Sequence, residues 1–379
     1  MIKLNYSSLL LTFALGKRQT MNNKYKSTIT RENGETVSCV EPVIVSASRS
    51  TDIPAFYSDW FFHRLKEGYS AWTNPFNGTK MYISYAKTRF IVFWSKNPHP
   101  LINHINELKE LGIGCYIQYS LNDYEEEGLE KGVPPLNQRI ETFKQLVDIL
   151  GKGSVIWRFD PLVLTDDISI DKLLAKIENI GNQIHDYTEK LVFSFADIKT
   201  YSKVEKNLMA SHILYHEWTE EQMKEFAEKL VSLNKRNGWS LNLATCGEKG
   251  IYPGIKHNKC IDDELIIRKS HNDKELMEYL KVKFLPLPTP DIFGETEPLP
   301  DDAVIVNNHY AIHDNNKDKG QRTFCGCIKS KDIGQYNTCI HMCEYCYANT
   351  SKKSAALNYK CHQENPWAET ITGRETYET

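Results

Sequence analysis

Apolar and polar positions follow two different periods along this chain. Six short runs are apolar on both faces and rich in β-branched or aromatic residues: 43–48, 90–95, 114–120, 154–159, 191–196 and 240–245. Strands with two apolar faces belong to parallel sheets buried between layers. Their starts lie 24 to 49 residues apart, room for a crossover helix and too far for hairpins. Between them the period lengthens to that of a helix. Ile140, Phe143, Val147 and Leu150 share one face, behind Pro134 and Pro135, which suit a helix start. Ile170, Leu173, Leu174, Ile177 and Ile184 share another; Met223, Phe226, Leu230 and Leu233 share a third, closed by Gly238. The predicted fold is α/β: a partial parallel (β/α)6 TIM-like barrel over residues 41–282, preferred to a doubly wound sheet.

The flanks read differently. Residues 1–40 look like a poorly ordered leader: an apolar run at 9–15 follows Lys3 without a small-x-small cleavage site, and Met21 offers a second start. Pro286, Pro288, Pro290, Pro298 and Pro300 exclude a helix or central strand and make 283–320 a linker or insertion. A cysteine-rich segment follows at 321–350, then a weakly ordered tail at 351–379. The chain has 379 residues, 41% of them hydrophobic, with 46 basic against 49 acidic side chains. That is a globular composition, too long for one simple core, with no global field for nucleic acid or an anionic membrane. No apolar run approaches the ~18 residues of a membrane span.

Cysteines change the picture. Five of ten fall within 22 residues: Cys325, Cys327, Cys339, Cys343 and Cys346. A disulfide framework belongs to small secreted domains with dispersed pairs, so a dense group in a long chain reads as metal, in a reducing cytoplasm. Cys339, Cys343 and Cys346 have the spacing C-x3-C-x2-C. Three such thiolates can hold three irons of a cubane [4Fe–4S] cluster; full protein ligation takes four, so one iron stays open. Zinc is the competing reading, with Cys325 and Cys327 completing a site on Cys339 and Cys343, but a C-x-C pair fits zinc spacing poorly. Cys246, Cys260, Cys325 and Cys327 form a candidate second metal site, iron–sulfur or otherwise, balanced against plain core thiols. Cys39 and Cys115 read as structural, and Cys361 as a bystander.

Parallel barrels carry their sites at the C-terminal strand ends. Those ends bring Arg49 and Asp52, Lys96 and Asn97, Arg158 and Asp160, Asp197, then Cys246 and Glu248. Arg49, Asp52, Lys96, Arg158 and Asp160 are the candidate catalytic or substrate-binding groups, suited as a set to a carboxylate, ribose or phosphate. Each taken singly is as well explained by pairing with a neighbour. Glu125, Glu126 and Glu127 read as a solvated loop, and Gly247-Glu248 is too short to carry weight.

A resemblance now becomes specific. C-x3-C-x-aromatic-C, with Tyr345 before Cys346, is similar to the radical SAM signature, and 343–347 also resembles the cluster loop of spore photoproduct lyases. In radical SAM enzymes that loop usually follows the first barrel strand; here it comes last. That order resembles an uncharacterised microbial family, domain of unknown function 1848, whose C-terminal cysteines mirror the radical SAM loop. The resemblance runs over residues 43–349, through Ser46–Pro54, Asn74-Pro75-Phe76-Asn77, Trp94–Pro98, Trp157–Pro161, Gly254–Asp263, Cys325-Gly326-Cys327 and Asp332–Cys339. The stretch 270–314 is longer and more proline-rich than expected of the family.

The resemblance implies a cluster on Cys339, Cys343 and Cys346, with Tyr345 beside the cofactor. S-adenosylmethionine would bind the open iron and be cleaved reductively, and the resulting 5'-deoxyadenosyl radical would take hydrogen from a substrate that the resemblance does not name. A reductant such as flavodoxin or ferredoxin is implied; a membrane is not. The alternative is a metal-stabilised nucleic-acid-binding or DNA-repair-associated protein without radical chemistry. Its support is local: Lys203 and Lys206; Lys317, Lys319 and Arg322; Lys329, Lys331, Lys352 and Lys353.

Overall fold

In the computed structural model, residues 27–74, 77–290, 293 and 295–374 are described. Residues 1–26 of the expected leader, and Pro75 and Phe76, lie outside them. The chain opens on β1 (Ser27–Thr30), β2 (Thr36–Val40) and β3 (Ile44–Ala47). Two short helices, α1 (Ile53–Phe56) and α2 (Ser58–Lys66), lead to β4 (Tyr69–Thr73) and β5 (Lys80–Ser84). Then come β6 (Phe90–Ser95), α3 (Ile105–Glu110), β7 (Gly114–Ser120), α4 (Leu136–Leu150), β8 (Val155–Leu162), β9 (Leu164–Thr165) and α5 (Ile170–Ile184). They are followed by β10 (Lys190–Phe195), α6 (Ser202–Ala210), β11 (Tyr215–His216), α7 (Glu220–Arg236) and β12 (Asn242–Thr245). The rest holds β13 (Lys256–His257), α8 (Asp263–Ser270), α9 (Lys274–Tyr279), β14 (Lys283–Pro286), β15 (Val304–Val306), β16 (His309–Ile312), β17 (Lys331–Asp332) and α10 (Lys352–Glu364).

One eight-stranded sheet organises these elements, in the order β13-β12-β10-β8-β7-β6-β3-β17. Every neighbouring pair in it is parallel. The six runs read from sequence lie side by side in chain order, with no reversal, which excludes a doubly wound sheet. The sheet is open: β13 and β17 form its edges and do not pair with each other. Neither edge strand has a readable pattern, because each is two residues long.

Both faces are buried, as the apolar runs require. Val45, Ile91, Phe93, Ile117, Trp157 and Phe193 meet the helices through Phe143, Leu146, Leu173, Ile177, Phe226 and Leu230. On the other face, Ile44, Val92, Tyr116, Ile156 and Val192 pack against Ile261, Leu265, Ile266, Val304 and Ile328. Helix starts follow local chemistry. Ser169 Oγ accepts from the Lys172 amide at 3.2 Å to begin α5, and Thr219 with Gln222 closes a capping box on α7. No helix among the described residues is long and apolar enough to cross a membrane.

The flanks differ from the sequence reading. Residues 27–40 of the expected leader form β1 and β2, which join β5 and β4 in a second sheet, β1-β2-β5-β4. The proline-rich segment contributes an antiparallel sheet, β14-β16-β15. Its Pro286 ends an edge strand, where a missing N–H is tolerated. The tail is anchored rather than loose: α10 leads to Ala368, whose carbonyl accepts from Trp60 Nε1 at 2.8 Å.

Glu369 completes that anchor, with Arg31 Nε and Nη2 and Tyr69 Oη each at 2.9 Å and Lys80 Nζ at 3.2 Å. Burial pushes its carboxyl up, but Arg31, Tyr69 and Lys80 outweigh that and hold it at about 2, below the ordinary 4.5. A depressed carboxylate stabilises the fold above its unfolded pKa, and that contribution fades as pH falls through the folded value. Glu369→Gln should therefore cost ~1 kcal/mol at neutral pH, the pairs being partly solvent-screened. The melting-temperature gap to wild type should close as pH falls from about 5 towards about 2. A gap that ignores pH would assign the contact to packing instead.

Candidate metal centre

All strands of the parallel sheet end on one side, so the residues following β3, β6, β7, β8 and β12 share one mouth. The cysteine segment reaches that mouth through β17, whose Lys331 and Asp332 pair with Val45 and Ser46 of β3. Asp332 then locks the turn after β3: its carboxylate accepts from Ser46 Oγ (2.8 Å), Ser48 Oγ (2.9 Å), the Arg49 amide (2.8 Å) and the Gly334 amide (3.0 Å). At Gly334 the approach is so close that a Cβ would stand 1.8 Å from Ser48 Oγ.

Three strand ends hold the loop that carries Cys339, Cys343 and Cys346. After β3, Asp52 Oδ2 meets His341 Nε2 at 2.7 Å and the Lys96 amide at 2.7 Å, while Oδ1 accepts from Ser95 Oγ at 2.7 Å. After β6, Lys96 Nζ donates to Glu130 Oε1 and Tyr345 Oη, both at 2.8 Å. After β7, Asn122 Nδ2 donates to the same Glu130 oxygen at 3.0 Å and to Tyr345 Oη at 3.1 Å. Tyr345 itself donates to Glu130. Backbone bonds add to this: the Gly132 amide to the His341 carbonyl and the Glu344 amide to the Leu129 carbonyl, each 2.9 Å.

The sulfurs sit in a distinctive setting. The His341 amide points at Cys339, and the Ala348 and Asn349 amides at Cys346. Burial pushes all three thiols up, the charge of Cys346 raises Cys339 further, and Lys96 opposes the shift at each of them. Buried thiols of this kind stay protonated and inert until a cation joins them, and a metal deprotonates a coordinating thiol outright. Three cysteines near enough to feel one another's charge, amide donors to two of them and a buried lysine are a donor set of the kind an iron–sulfur cluster takes.

Glu130 is the residue that sequence reasoning missed. It is 3% exposed, faces Lys96, and lies 3.7 Å from Arg139 Nη1. Burial pushes its carboxyl up, yet Lys96 and Arg139 pull it down to about 2. Nothing in the sequence marks it, because its partners come from β6, α4 and the cysteine loop. The neighbouring acidic run also departs from expectation: Glu125 and Glu126 are exposed, but Glu127 pairs with Lys172 at 2.8 Å and Lys176 at 3.2 Å.

Gly132 offers a test of the loop's seating. A Cβ there would lie 2.7 Å from the His341 carbonyl oxygen and 2.8 Å from that of Ile340, both backbone atoms with nowhere to go. Gly132→Ala should cost about 1–3 kcal/mol by overpacking. Iron bound on reconstitution should fall with it. Unchanged stability and iron content would show that the loop tolerates a shift.

The candidate mouth residues divide their work. Asp52 and Lys96 seat the cysteine loop. Tyr345, expected beside a cofactor, turns its hydroxyl into the Lys96, Glu130 and Asn122 network and serves as an anchor. Arg158 Nη2 pairs with Asp160 Oδ2 at 2.6 Å, and its Nη1 donates to Cys260 Sγ at 3.3 Å. The Arg49 guanidinium stacks 5.2 Å over Trp94, and its backbone carbonyl accepts from Tyr347 at 2.7 Å. Asp197 turns aside to Thr200 at 2.6 Å, and Glu248 Oε1 accepts from the Phe195 amide at 3.1 Å.

A parallel α/β protein with a cysteine loop seated on its strand ends is the class that fold and site define together. Residues 44–348 match the family described as Domain of unknown function (DUF1848), and the chain belongs to that family. No curated protein and no solved structure matches it.

Proposed function

We propose that this protein is a radical SAM-like iron–sulfur enzyme: a TIM-like partial barrel with its cluster loop supplied from the C-terminus, working in a reducing cytoplasm. The pairing of β17 with β3 is the observation that carries the reading. It puts Cys339, Cys343 and Cys346 beside the first strand of the parallel sheet, although they come last in the chain. That is the strand which the radical SAM loop follows in sequence.

Cys339, Cys343 and Cys346 would hold a [4Fe–4S] cluster, which would offer one open iron to S-adenosylmethionine and pass on to it the electron that a reductant such as flavodoxin or ferredoxin delivers. The protein's part is positional. Asp52 and His341 fix the loop between the first two ligands; Tyr345, Lys96 and Glu130 fix it before the third. Arg49, Arg158 and Asp160, at the ends of β3 and β8 on the same mouth, are the groups that bind substrate. None of the ten cysteines is engaged in a disulfide.

The test is anaerobic reconstitution with iron and sulfide, then addition of dithionite and S-adenosylmethionine. The expected result is a brown protein that releases 5'-deoxyadenosine. Reconstituted protein that leaves S-adenosylmethionine intact would overturn the reading.

A further inference from the structure

Four cysteines from three separate segments meet outside the loop just described. Cys246 follows β12, Cys260 precedes α8, and Cys325 and Cys327 come from the turn before β17. Cys246 Sγ and Cys260 Sγ lie 3.4 Å apart. Cys327 interacts with both Cys260 and Cys325, so the four sulfurs run as a connected row. Cys327 Sγ also accepts from the amides of Cys260 (3.2 Å) and Ile261 (3.4 Å), and Cys260 Sγ from Asn258 Nδ2 (3.3 Å).

We infer that Cys246, Cys260, Cys325 and Cys327 ligate a second, fully protein-ligated iron–sulfur cluster that staples the cysteine segment to the sheet. Charge is the first argument. Arg158, 3% exposed, sends one nitrogen to Cys260, and Arg49 lies close enough to Cys327, Cys260 and Cys325 to feel their charge. Arg49 Nη2 is buried with no hydrogen-bond partner among the described residues. Arg158 already has Asp160 at 2.6 Å, but Arg49 against neutral thiols is a buried cation without a hydrogen-bonded anion; thiolates on a cluster supply that negative charge.

Spacing is the second argument. Zinc with four thiolates at about 2.3 Å would bring all its sulfurs within about 3.8 Å of one another. Here no three of the four sulfurs are mutually within 4.8 Å; among the described residues only Asp262, Asp263 and Glu264 meet that limit, and they are the acidic start of α8. The row as a whole is too extended for one ion, while the 3.4 Å approach of Cys246 and Cys260 is that of two thiolates on one iron, so the row suits a centre of two irons with paired thiolates. Four cysteines are the full ligand number for such a cluster, so no iron is left open.

The fold shows what the staple joins. The segment from β13 to β17 joins the sheet at its two edge strands, through the Tyr116 hydroxyl on the Cys260 carbonyl (2.6 Å) and through an apolar cluster, while its own small sheet leaves Phe284, Leu285 and Ile305 exposed. A centre joining β12, the loop before α8 and the C-x-C turn adds metal-binding free energy to that contact.

This inference stands without S-adenosylmethionine chemistry, and the experiment separates the two. Wild type, Cys325→Ser/Cys327→Ser and Cys339→Ser/Cys343→Ser/Cys346→Ser are reconstituted anaerobically as full chains and assayed for iron, labile sulfide and zinc. We expect the triple variant to keep equal amounts of iron and sulfide, the double variant to lose that amount, and wild type to carry the sum. Alkylation with peptide mapping gives a second readout that needs only wild type: Cys246 and Cys325, the two partly exposed members of the row, should be shielded after reconstitution and reactive before it. A triple variant without iron and sulfide, one zinc per chain held by the four cysteines, or thiols equally reactive before and after reconstitution would each overturn the assignment.

Discussion

Replacing Cys339, Cys343 and Cys346 together by Ala should reduce S-adenosylmethionine cleavage to the uncatalysed background. One cluster's share of the visible absorption should disappear with it. Open-site chemistry needs the three-thiolate seat, so no partial activity is expected from a loop without sulfur. The fold should survive the change. The loop is seated by His341 on Asp52 and Tyr345 on Lys96, Asn122 and Glu130, and those contacts do not involve the sulfurs. Far-UV circular dichroism and the melting temperature check that point, while product chromatography reads cleavage. A variant that retains wild-type cleavage would remove these cysteines from the mechanism.

Glu130→Ala should be the most damaging single substitution for stability. It strands Lys96, whose side chain is 15% exposed, leaves Arg139 only Glu125 at 3.3 Å as a charge partner, and takes the acceptor from Tyr345 and Asn122. Removing one partner of a buried ion pair costs about 3–5 kcal/mol, because the remaining charge is left without compensation. Glu130→Gln keeps an acceptor oxygen for Tyr345 and should cost less. Both losses are read from chemical denaturation at neutral pH. Since Lys96 and Arg139 hold Glu130 at about 2, its charge persists through mild acid. The penalty of Glu130→Gln should therefore stay level from neutral pH to about 5 and shrink only as pH falls towards about 2. A cost below ~1 kcal/mol for Glu130→Ala would mean that water reaches the network and replaces the carboxylate.

Arg49, Asp52, Lys96, Arg158 and Asp160 illustrate how far strand-end reasoning goes. Their placement on one mouth follows from parallel strands ending together, which a run of βα units already implies. Their division of labour does not follow. Asp52 and Lys96 resemble Arg158 and Asp160 in sequence, as charged residues just past an apolar run, yet they seat a loop that lies 289 and 249 residues further on, at His341 and Tyr345. The identity of a charged residue's partner is a fact about distant chain, and spacing carries no record of it.

The same division runs through the molecule. Elements were legible wherever burial repeats with a local period: α4, α5 and α7 through their apolar faces, and the six central strands through residues that are apolar on both sides. The C-x3-C-x2-C spacing was legible too, since one short loop contains the whole donor set. Tertiary structure alone decided the rest. β17 and β13 are too short to show a period, and β1 and β2 are polar enough to pass for a leader until β5 offers an edge to pair with. Asp332, Glu130 and the meeting of Cys246 with Cys260 and Cys327 depend on which backbone edges find each other. That choice is made by packing across hundreds of residues, and no local pattern encodes it.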